Sequence, residues 1–224
     1  MDKLILKLEG NDDFFTQEAY KTLRTNLQFC GQDIQVVAIT SCNENEGKTT
    51  VTLNLAKSLA ELGKRVLVID ADMRKSVIAG RHTSAKNPAG LSEVLTGMVR
   101  LADSVYGTQY PHLHMIFSGK YPPNPVELLS GKYFKAMIAE TRRVYDYVLI
   151  DTPPLGQVID AAVVAPSCDG VILVMADKTV RAKQAREVVE QLRKSDCKIL
   201  GVVRNSVAAR RGKKEKYYGA YGKN

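Results

Sequence analysis

Short segments of almost unbroken Val, Ile and Leu constrain the fold of this chain more than any other feature. Five of them are clear and a sixth is weaker, at residues 35–40, 65–70, 113–117 (the weaker one), 147–151, 170–175 and 198–203. An uninterrupted apolar run of this length, without polar alternation, is typical of a strand that is covered on both faces. The sequence therefore predicts a buried, parallel sheet.

Segments with helical periodicity alternate with these strands. They lie at residues 48–62, around 125–145, at 157–165 and at 179–194, and another helix is predicted before the first core strand, at about 14–29. This order is typical of an α/β fold, a mostly parallel sheet with helices on both faces. Because no long linker or repeat interrupts it, we expect one domain, residues 1–204, and a flexible tail, residues 205–224.

Composition excludes several other classes of protein. The 224 residues are 45% hydrophobic and 25% charged, which is ordinary for a globular domain, and no apolar run reaches the ~20 residues of a membrane span. The four scattered cysteines favour reduced, buried thiols and a cytoplasmic protein.

The positive charge of the chain is concentrated at its C-terminal end. Of the net charge of +8, residues 181–224 carry +9, with 13 Lys and Arg against 4 Asp and Glu. This basic end would attract phosphate, nucleic acid, anionic lipid or an acidic protein face, unless it is simply a solvated surface.

A phosphate-binding loop is predicted between the first core strand and its helix. Residues 41–50 read SCNENEGKTT, and a Gly-Lys-Thr sequence at the start of a helix can cradle phosphate with its main-chain N–H groups. Lys48 would neutralise phosphate charge and Thr49 would bind Mg²⁺. The predicted ATP-binding residues are Asn45, Glu46, Gly47, Lys48, Thr49 and Thr50, in a P-loop NTPase-like fold. The loop departs from the general pattern because Cys42 stands where glycine is expected.

Carboxylates end two of the predicted strands. Asp70 ends the second clear strand and Asp72 comes two residues later, and Asp151 ends the strand at 147–151. Ligands of open parallel sheets bind beyond the carboxyl ends of the strands, so these acids should face the loop. With Lys48 they form the predicted catalytic set, and Thr49, Asp72 and Asp151 are the predicted ligands of Mg²⁺.

The tail suggests what could receive a phosphoryl group. Tyr217, Tyr218 and Tyr221 lie among the last eight residues, where they cannot serve a core. The tyrosines could form a sticky or stacking tail, or their hydroxyls could be substrates. A phenol has a pKa of about 10, so a carboxylate that accepts its proton would help, and Asp72 is the candidate.

Several motifs resemble those of the bacterial tyrosine kinases, or BY-kinases. Residues 66–74 (VLVIDADMR) look like the second Walker-A-type motif of that family and residues 148–154 (VLIDTPP) like its Walker B motif. Residues 122–129 (PPNPVELL) and the tyrosine-rich end also match. The resemblance runs from about residue 17 to the end and is greatest to the cytosolic capsule and exopolysaccharide kinases of Gram-positive bacteria.

The resemblance implies a function and partners. It implies Mg-ATP, autophosphorylation of the tail tyrosines between subunits, control of polysaccharide synthesis and export, and adenine recognition by Asn205. It implies recruitment to the inner face of the membrane by a transmembrane activator, and a cognate tyrosine phosphatase. Glu18, Lys21 and Arg24, three residues apart on one helix, resemble a family motif that joins subunits into a ring, with Lys21 replacing an arginine. Without the resemblance, these three residues could be only a solvated, salt-bridged face, and Asn205 only a turn residue.

Two other functions compete with the kinase. A partition or cell-division ATPase of the deviant P-loop class would share the sheet and loop, but it normally carries a lysine at the position of Asn43. A nucleic-acid-binding module could use the basic tail, although no recognised motif accompanies it, and we expect no nucleic acid as partner. His82, His112 and His114 show no metal-ligand pattern and receive no role from the sequence.

Overall fold

The structure, a computed structural model, describes residues 3–8, 13–83, 88–177 and 179–207. Its strands are β1 (Lys3–Leu4), β2 (Val36–Ser41), β3 (Val66–Asp70), β4 (Tyr106–Thr108), β5 (Leu113–Ile116), β6 (Tyr147–Asp151), β7 (Gly170–Ala176) and β8 (Ile199–Asn205). Its α-helices are α1 (Phe14–Phe29), α2 (Lys48–Ala60), α3 (Leu91–Leu95), α4 (Pro125–Ser130), α5 (Lys132–Val144), α6 (Asp160–Val164) and α7 (Ala182–Arg193). A π-helical turn, Ile78–His82, follows β3.

The strands form one sheet in the order β1-β4-β5-β3-β6-β2-β7-β8. Every neighbouring pair is parallel except β4 and β5, which are antiparallel. Every residue of β2, β3 and the last four of β6 is buried. The prediction of a mostly parallel sheet is confirmed. The prediction that its strands are covered on both faces holds for the central strands but is wrong for β8, an edge strand that has no buried residue and in which Val202 is 55% exposed.

Helices cover both faces of the sheet. The apolar cluster on one face includes Leu27 of α1 and Val51, Leu55 and Leu59 of α2. The cluster on the other face is built from α3 to α7, for example by Phe134 of α5. The carboxyl ends of the central strands meet at one edge of the sheet, and this edge holds the site described below.

Several features of the fold were not predicted from the sequence, among them the short helix α3 and the π-helical turn. The short strands β1 and β4 were not predicted, because two or three residues carry too little periodicity to be recognised. The helix expected around residues 125–145 is divided at Gly131, whose backbone is extended with φ −70° and ψ 161°. All four cysteines are free, as expected, but only Cys42 is fully buried.

Candidate functional site

The loop between β2 and α2 is held closed by a buried carboxylate. Glu46 is 2% exposed, and its Oε2 accepts hydrogen bonds from the main-chain N–H groups of Cys42 (2.8 Å) and Asn43 (2.9 Å). Asn45 and Gly47 take left-handed backbone conformations, with φ of 60° and 81°. Asparagine and glycine tolerate that region best. Cys42 is not among the residues with a positive φ, so the loop does not require a glycine at that position.

One ion pair and one hydrogen bond join the start of α2 to the carboxyl ends of β3 and β6. Lys48 Nζ lies 3.8 Å from Asp72 Oδ2, and both side chains are mostly buried. The Thr49 hydroxyl donates to Asp151 Oδ2 at 2.6 Å. The structure therefore brings together four residues that the sequence placed in one site.

Asp70 and Asp151 are paired directly across β3 and β6. Burial, and then the charge of Asp151, raise the pKa of Asp70 to about 8. Burial also raises the pKa of Asp151, against the opposing effects of Lys48 and the Thr49 hydroxyl. Ser76 donates a hydrogen bond to Asp70 Oδ2, so Asp70 is a buried, hydrogen-bonded carboxyl group.

The oxygen atoms of this cluster fit a hard cation such as Mg²⁺. Within the described part of the chain, Asp151 Oδ1 is buried and has no hydrogen-bond partner. An orphaned carboxylate oxygen beside the Thr49 hydroxyl and Asp72 suits an ion that keeps several waters and phosphate oxygens as ligands. No group of three His, Cys, Asp or Glu side chains in the described ranges is arranged to enclose a metal by itself. The donors thus match Mg²⁺ carried by a nucleotide better than a permanent metal centre.

These residues line a cleft of about 540 Å³. Of the predicted residues, its walls include Asn45, Gly47, Lys48, Thr49, Thr50, Asp70, Asp72 and Asp151. They do not include Glu46, whose carboxylate is committed to the loop itself, or Asn205. A volume of this size accommodates a ligand as large as a nucleotide.

Asn205, at the end of β8, is held against the loop. Its side-chain Nδ2 donates to the carbonyl oxygen of Glu46 at 3.0 Å. A methyl group added at Gly47 would lie 2.0 Å from that nitrogen, so the absence of a side chain at residue 47 makes the contact possible. The contact places Asn205 beside the loop, and its role toward adenine stays a prediction.

The cleft also includes residues that the sequence did not single out. Arg74 donates to Asp160, a fully buried carboxylate at the start of α6, at 2.9 Å. Lys75 forms a 3.0 Å ion pair with Glu44, which joins the loop after β3 to the phosphate loop. His82 is 2% exposed and lines the same cleft. The spacing of Arg74 and Lys75 after Asp72 could have indicated the first two, whereas nothing in the sequence indicated His82.

The predicted self-association residues of α1 have different environments. Glu18 and Lys21 form a 2.7 Å ion pair, and each side chain is about half exposed. Arg24 is directed toward α2, where its Nη1 donates to the carbonyl oxygen of Ser58 at 2.7 Å. Arg24 therefore packs within its own subunit, and Glu18 and Lys21 remain accessible to another molecule.

The predicted acceptors Tyr217, Tyr218 and Tyr221 lie outside the described residues. Among the residues that the structure does describe, no helix is both long and apolar enough to cross a membrane.

Comparison with known proteins identifies relatives of high similarity. A profile described as an AAA domain matches residues 34–199. The chain is 42% identical over 193 residues to tyrosine-protein kinase CpsD of Streptococcus agalactiae, covering 86% of this chain and 83% of that protein. It is 39% identical over 209 residues to tyrosine-protein kinase YwqD of Bacillus subtilis, covering 92% of this chain and 86% of that protein.

Solved structures agree with these relatives. The chimeric protein CapA2B2 superposes with a TM-score of 0.83 at 30% identity, covering 91% of this chain and 92% of that chain. The kinase domain of Escherichia coli tyrosine kinase ETK gives a TM-score of 0.81 at 32% identity, with 88% and 77% covered. The septum site-determining protein MinD of Pyrococcus horikoshii, a complex with Mg-ADP, gives 0.66 at 27% identity, with 80% and 72% covered. The matching sequences, the shared fold and the cleft built around Lys48 together show that this chain belongs to the family of bacterial tyrosine-protein kinases.

Proposed function

We propose that this chain is an Mg-ATP-dependent protein-tyrosine kinase that phosphorylates Tyr217, Tyr218 and Tyr221 in the tail of a neighbouring copy. The observation that carries the proposal is the cleft at the carboxyl edge of the sheet. There Lys48 and Thr49 of the phosphate loop lie against Asp72 and Asp151. The relatives named tyrosine-protein kinases match nearly the whole chain at about 40% identity, which favours a kinase over a partition ATPase.

Each residue of the cleft has a chemical role in this proposal. The main-chain N–H groups of the loop and the Lys48 ammonium bind the β- and γ-phosphates of ATP. Thr49, Asp72 and Asp151 would hold Mg²⁺, which neutralises charge on the phosphates when bound. Asn205, adjacent to the loop, would hydrogen-bond adenine through its amide.

The transfer step moves one phosphoryl group and one proton. The phenolic oxygen of the acceptor tyrosine forms a bond to the γ-phosphorus, and the bond to the β–γ bridging oxygen breaks, so that ADP leaves. Asp72 accepts the phenolic proton, and it is therefore not fully committed to the metal at that moment. Without nucleotide or metal, burial and the charge of Asp151 raise the pKa of Asp70 to about 8, which favours a neutral Asp70 beside the other two acids.

We further propose a cellular setting. The protein controls the synthesis and export of a capsular or extracellular polysaccharide from the inner face of the membrane. A transmembrane activator recruits it there through a cytoplasmic segment, and a tyrosine phosphatase reverses its action. In tyrosine-protein kinase Wzc of Salmonella typhi, the region that matches this chain makes up 28% of the protein.

Mass spectrometry of the tail tests the kinase proposal. The full chain would be incubated with Mg-ATP, with and without the cytoplasmic segment of the activator. We expect phosphate on at least one of the three tail tyrosines and its loss, by at least about 100-fold, in Lys48→Met. Lys135→Met, on an exposed position of α5, is the matched control and should retain full activity. Hydrolysis of ATP without any phosphotyrosine would instead support the ATPase.

Self-association through α1 forms a second part of the proposal. We propose a ring of identical subunits in which the exposed pair Glu18 and Lys21 contacts a neighbour, while Arg24 holds α1 against α2 through Ser58. Glu18→Ala combined with Lys21→Ala should lower the mass measured by light scattering, whereas Lys135→Ala combined with Glu140→Ala on α5 should not. An unchanged mass in the α1 variant would refute this assignment.

A further inference from the structure

His82 stands at the meeting point of the cleft and the N-terminal segment. Its side chain is 2% exposed, and it forms part of the cleft wall. The imidazole Nδ1 lies 2.9 Å from the carbonyl oxygen of Lys7. Because a carbonyl oxygen can only accept, Nδ1 must carry the proton of this hydrogen bond.

The contact between His82 and Lys7 is reciprocal. The main-chain N–H of Lys7 donates to the carbonyl oxygen of His82 at 2.7 Å, so two hydrogen bonds join the same two residues. A paired contact of this kind fixes the position and the orientation of His82 relative to residues 3–8, which we call the N-terminal segment. The cleft wall therefore depends on a part of the chain that lies far from it in sequence.

The N-terminal segment is itself firmly attached to the sheet. Its strand β1 pairs with β4. The side chain of Gln109, which follows β4, donates to the carbonyl oxygen of Leu6 and accepts from the N–H of Leu6, each at 2.7 Å. Leu6 is 2% exposed and belongs to the same apolar cluster as Ile78, the first residue of the π-helical turn. His82 is therefore bonded to a segment that strand pairing, hydrogen bonds and apolar packing attach to the sheet.

The π-helical turn is attached at both of its ends. The Ser76 hydroxyl accepts from the N–H of Ile78 and donates to Asp70, so the beginning of the turn is joined to the acid cluster. The end of the turn is joined to the N-terminal segment through His82.

We propose that His82 is a positioning residue of the nucleotide site, and that it acts by donating from Nδ1 to the main chain of Lys7. The N-terminal segment thereby becomes a structural component of the cleft. The inference rests on the proposed function only in taking ATP as the ligand. It predicts that the segment and the nucleotide stabilise each other, because a coupling between two sites is reciprocal.

Amide replacements of His82 separate this role from a direct contact with ATP. The side-chain nitrogen of asparagine can occupy the position of Nδ1, whereas that of glutamine reaches the position of Nε2. We expect His82→Gln to raise the Kd for a fluorescent ATP analogue with Mg²⁺, and the KM for ATP, by about three- to ten-fold, as the loss of one partly buried hydrogen bond implies. The kcat should change less than about two-fold, and His82→Asn should bind nearly as the unaltered chain does.

Variants of Lys7 test the same contact from the other side. Lys7→Pro removes the N–H that donates to His82 and should weaken ATP binding as His82→Gln does, whereas Lys7→Ala keeps both main-chain groups and should not. Hydrogen exchange gives a readout that is independent of catalysis: Mg-ATP should slow exchange in residues 3–8 of the unaltered chain and have less effect in His82→Gln. If Lys7→Pro fails to fold, His82→Gln and the exchange measurement still decide the matter.

Two results would overturn the proposal. One is that all four variants bind ATP with the affinity of the unaltered chain. The other is that His82→Gln binds ATP normally while His82→Asn binds it weakly, which would make His82 a direct ligand of ATP. Failure of the proposed kinase function is distinguishable, because it would appear as ATP binding without phosphorylation of any tyrosine. In that case the binding and exchange measurements would still test the role of His82.

Discussion

Replacing Gly47 by alanine tests the closest contact in the phosphate loop. The backbone of Gly47 has φ of 81°, a left-handed conformation that costs an alanine ~1–2 kcal/mol. The added methyl group would also lie 2.0 Å from Asn205 Nδ2, so the Asn205 side chain must move and lose its hydrogen bond to Glu46. That bond is worth about 1 kcal/mol. The expected total loss of stability is therefore ~2–3 kcal/mol.

A double-mutant cycle separates the two contributions. Asn205→Ala alone removes only the hydrogen bond and should cost about 1 kcal/mol. The double variant should cost no more than Gly47→Ala, because the same bond is lost once, so the two single losses should exceed the double loss by about 1 kcal/mol. Gly63→Ala is the matched control, since Gly63 has φ of 78° but a methyl group there would meet nothing within 4 Å. Gly63→Ala should lose only the stability that the left-handed backbone conformation costs an alanine.

Urea unfolding of the full chain, without nucleotide, measures all of these variants. Strictly additive losses for Gly47→Ala and Asn205→Ala would refute the contact between residue 47 and Asn205. Equal losses for Gly47→Ala and Gly63→Ala would do so as well.

Two further predictions concern buried acids. The pKa of Asp70 is raised by burial to about 8, so the folded chain binds a proton that the unfolded chain releases above its ordinary pKa near 3.8. Without nucleotide or metal, the free energy of unfolding should therefore fall as the pH rises from about 4 to about 8. Asp70→Asn should flatten this pH dependence in urea unfolding. An unchanged pH dependence in Asp70→Asn would contradict the raised pKa of Asp70. Arg74→Met leaves the fully buried Asp160 carboxylate unpaired and should cost about 3 kcal/mol, of which Asp160→Asn in the same chain should restore a large part. If the second substitution restores nothing in thermal or urea unfolding, the ion pair is not the cause.

The parts of the site that could be predicted from sequence are those set by local chemistry. A Gly-Lys-Thr sequence between an apolar strand and a helix, and aspartates at the ends of two strands, specify Lys48, Thr49, Asp70 and Asp151 through the geometry of a parallel sheet alone. The structure confirms that these groups meet at one edge. The strand-length apolar runs likewise predict the central sheet, because a strand that is buried on both faces consists almost entirely of apolar residues.

The parts that could not be predicted depend on contacts between distant segments. Glu46 follows the loop pattern, but only the structure shows that its carboxylate closes the loop by accepting from two N–H groups. The position of His82 depends on Lys7, 75 residues earlier, and a contact over this distance cannot be predicted from local sequence patterns. Arg24 appears in sequence on the same face as Glu18, yet the packing of α1 on α2 directs it to Ser58. In each case tertiary packing decides which side chains remain available.

Transfer of phosphate between two different copies of the chain is the central claim, and a mixing measurement tests it most directly. One variant, Lys48→Met, keeps the tail tyrosines but loses the phosphate-binding lysine. The other keeps the cleft but carries Tyr217→Phe, Tyr218→Phe and Tyr221→Phe. We expect neither to acquire phosphate on its tail alone, and the Lys48→Met tail to become phosphorylated when the two are mixed with Mg-ATP. A mixture that stays unmodified, under conditions in which the unaltered chain is phosphorylated, would contradict transfer between copies.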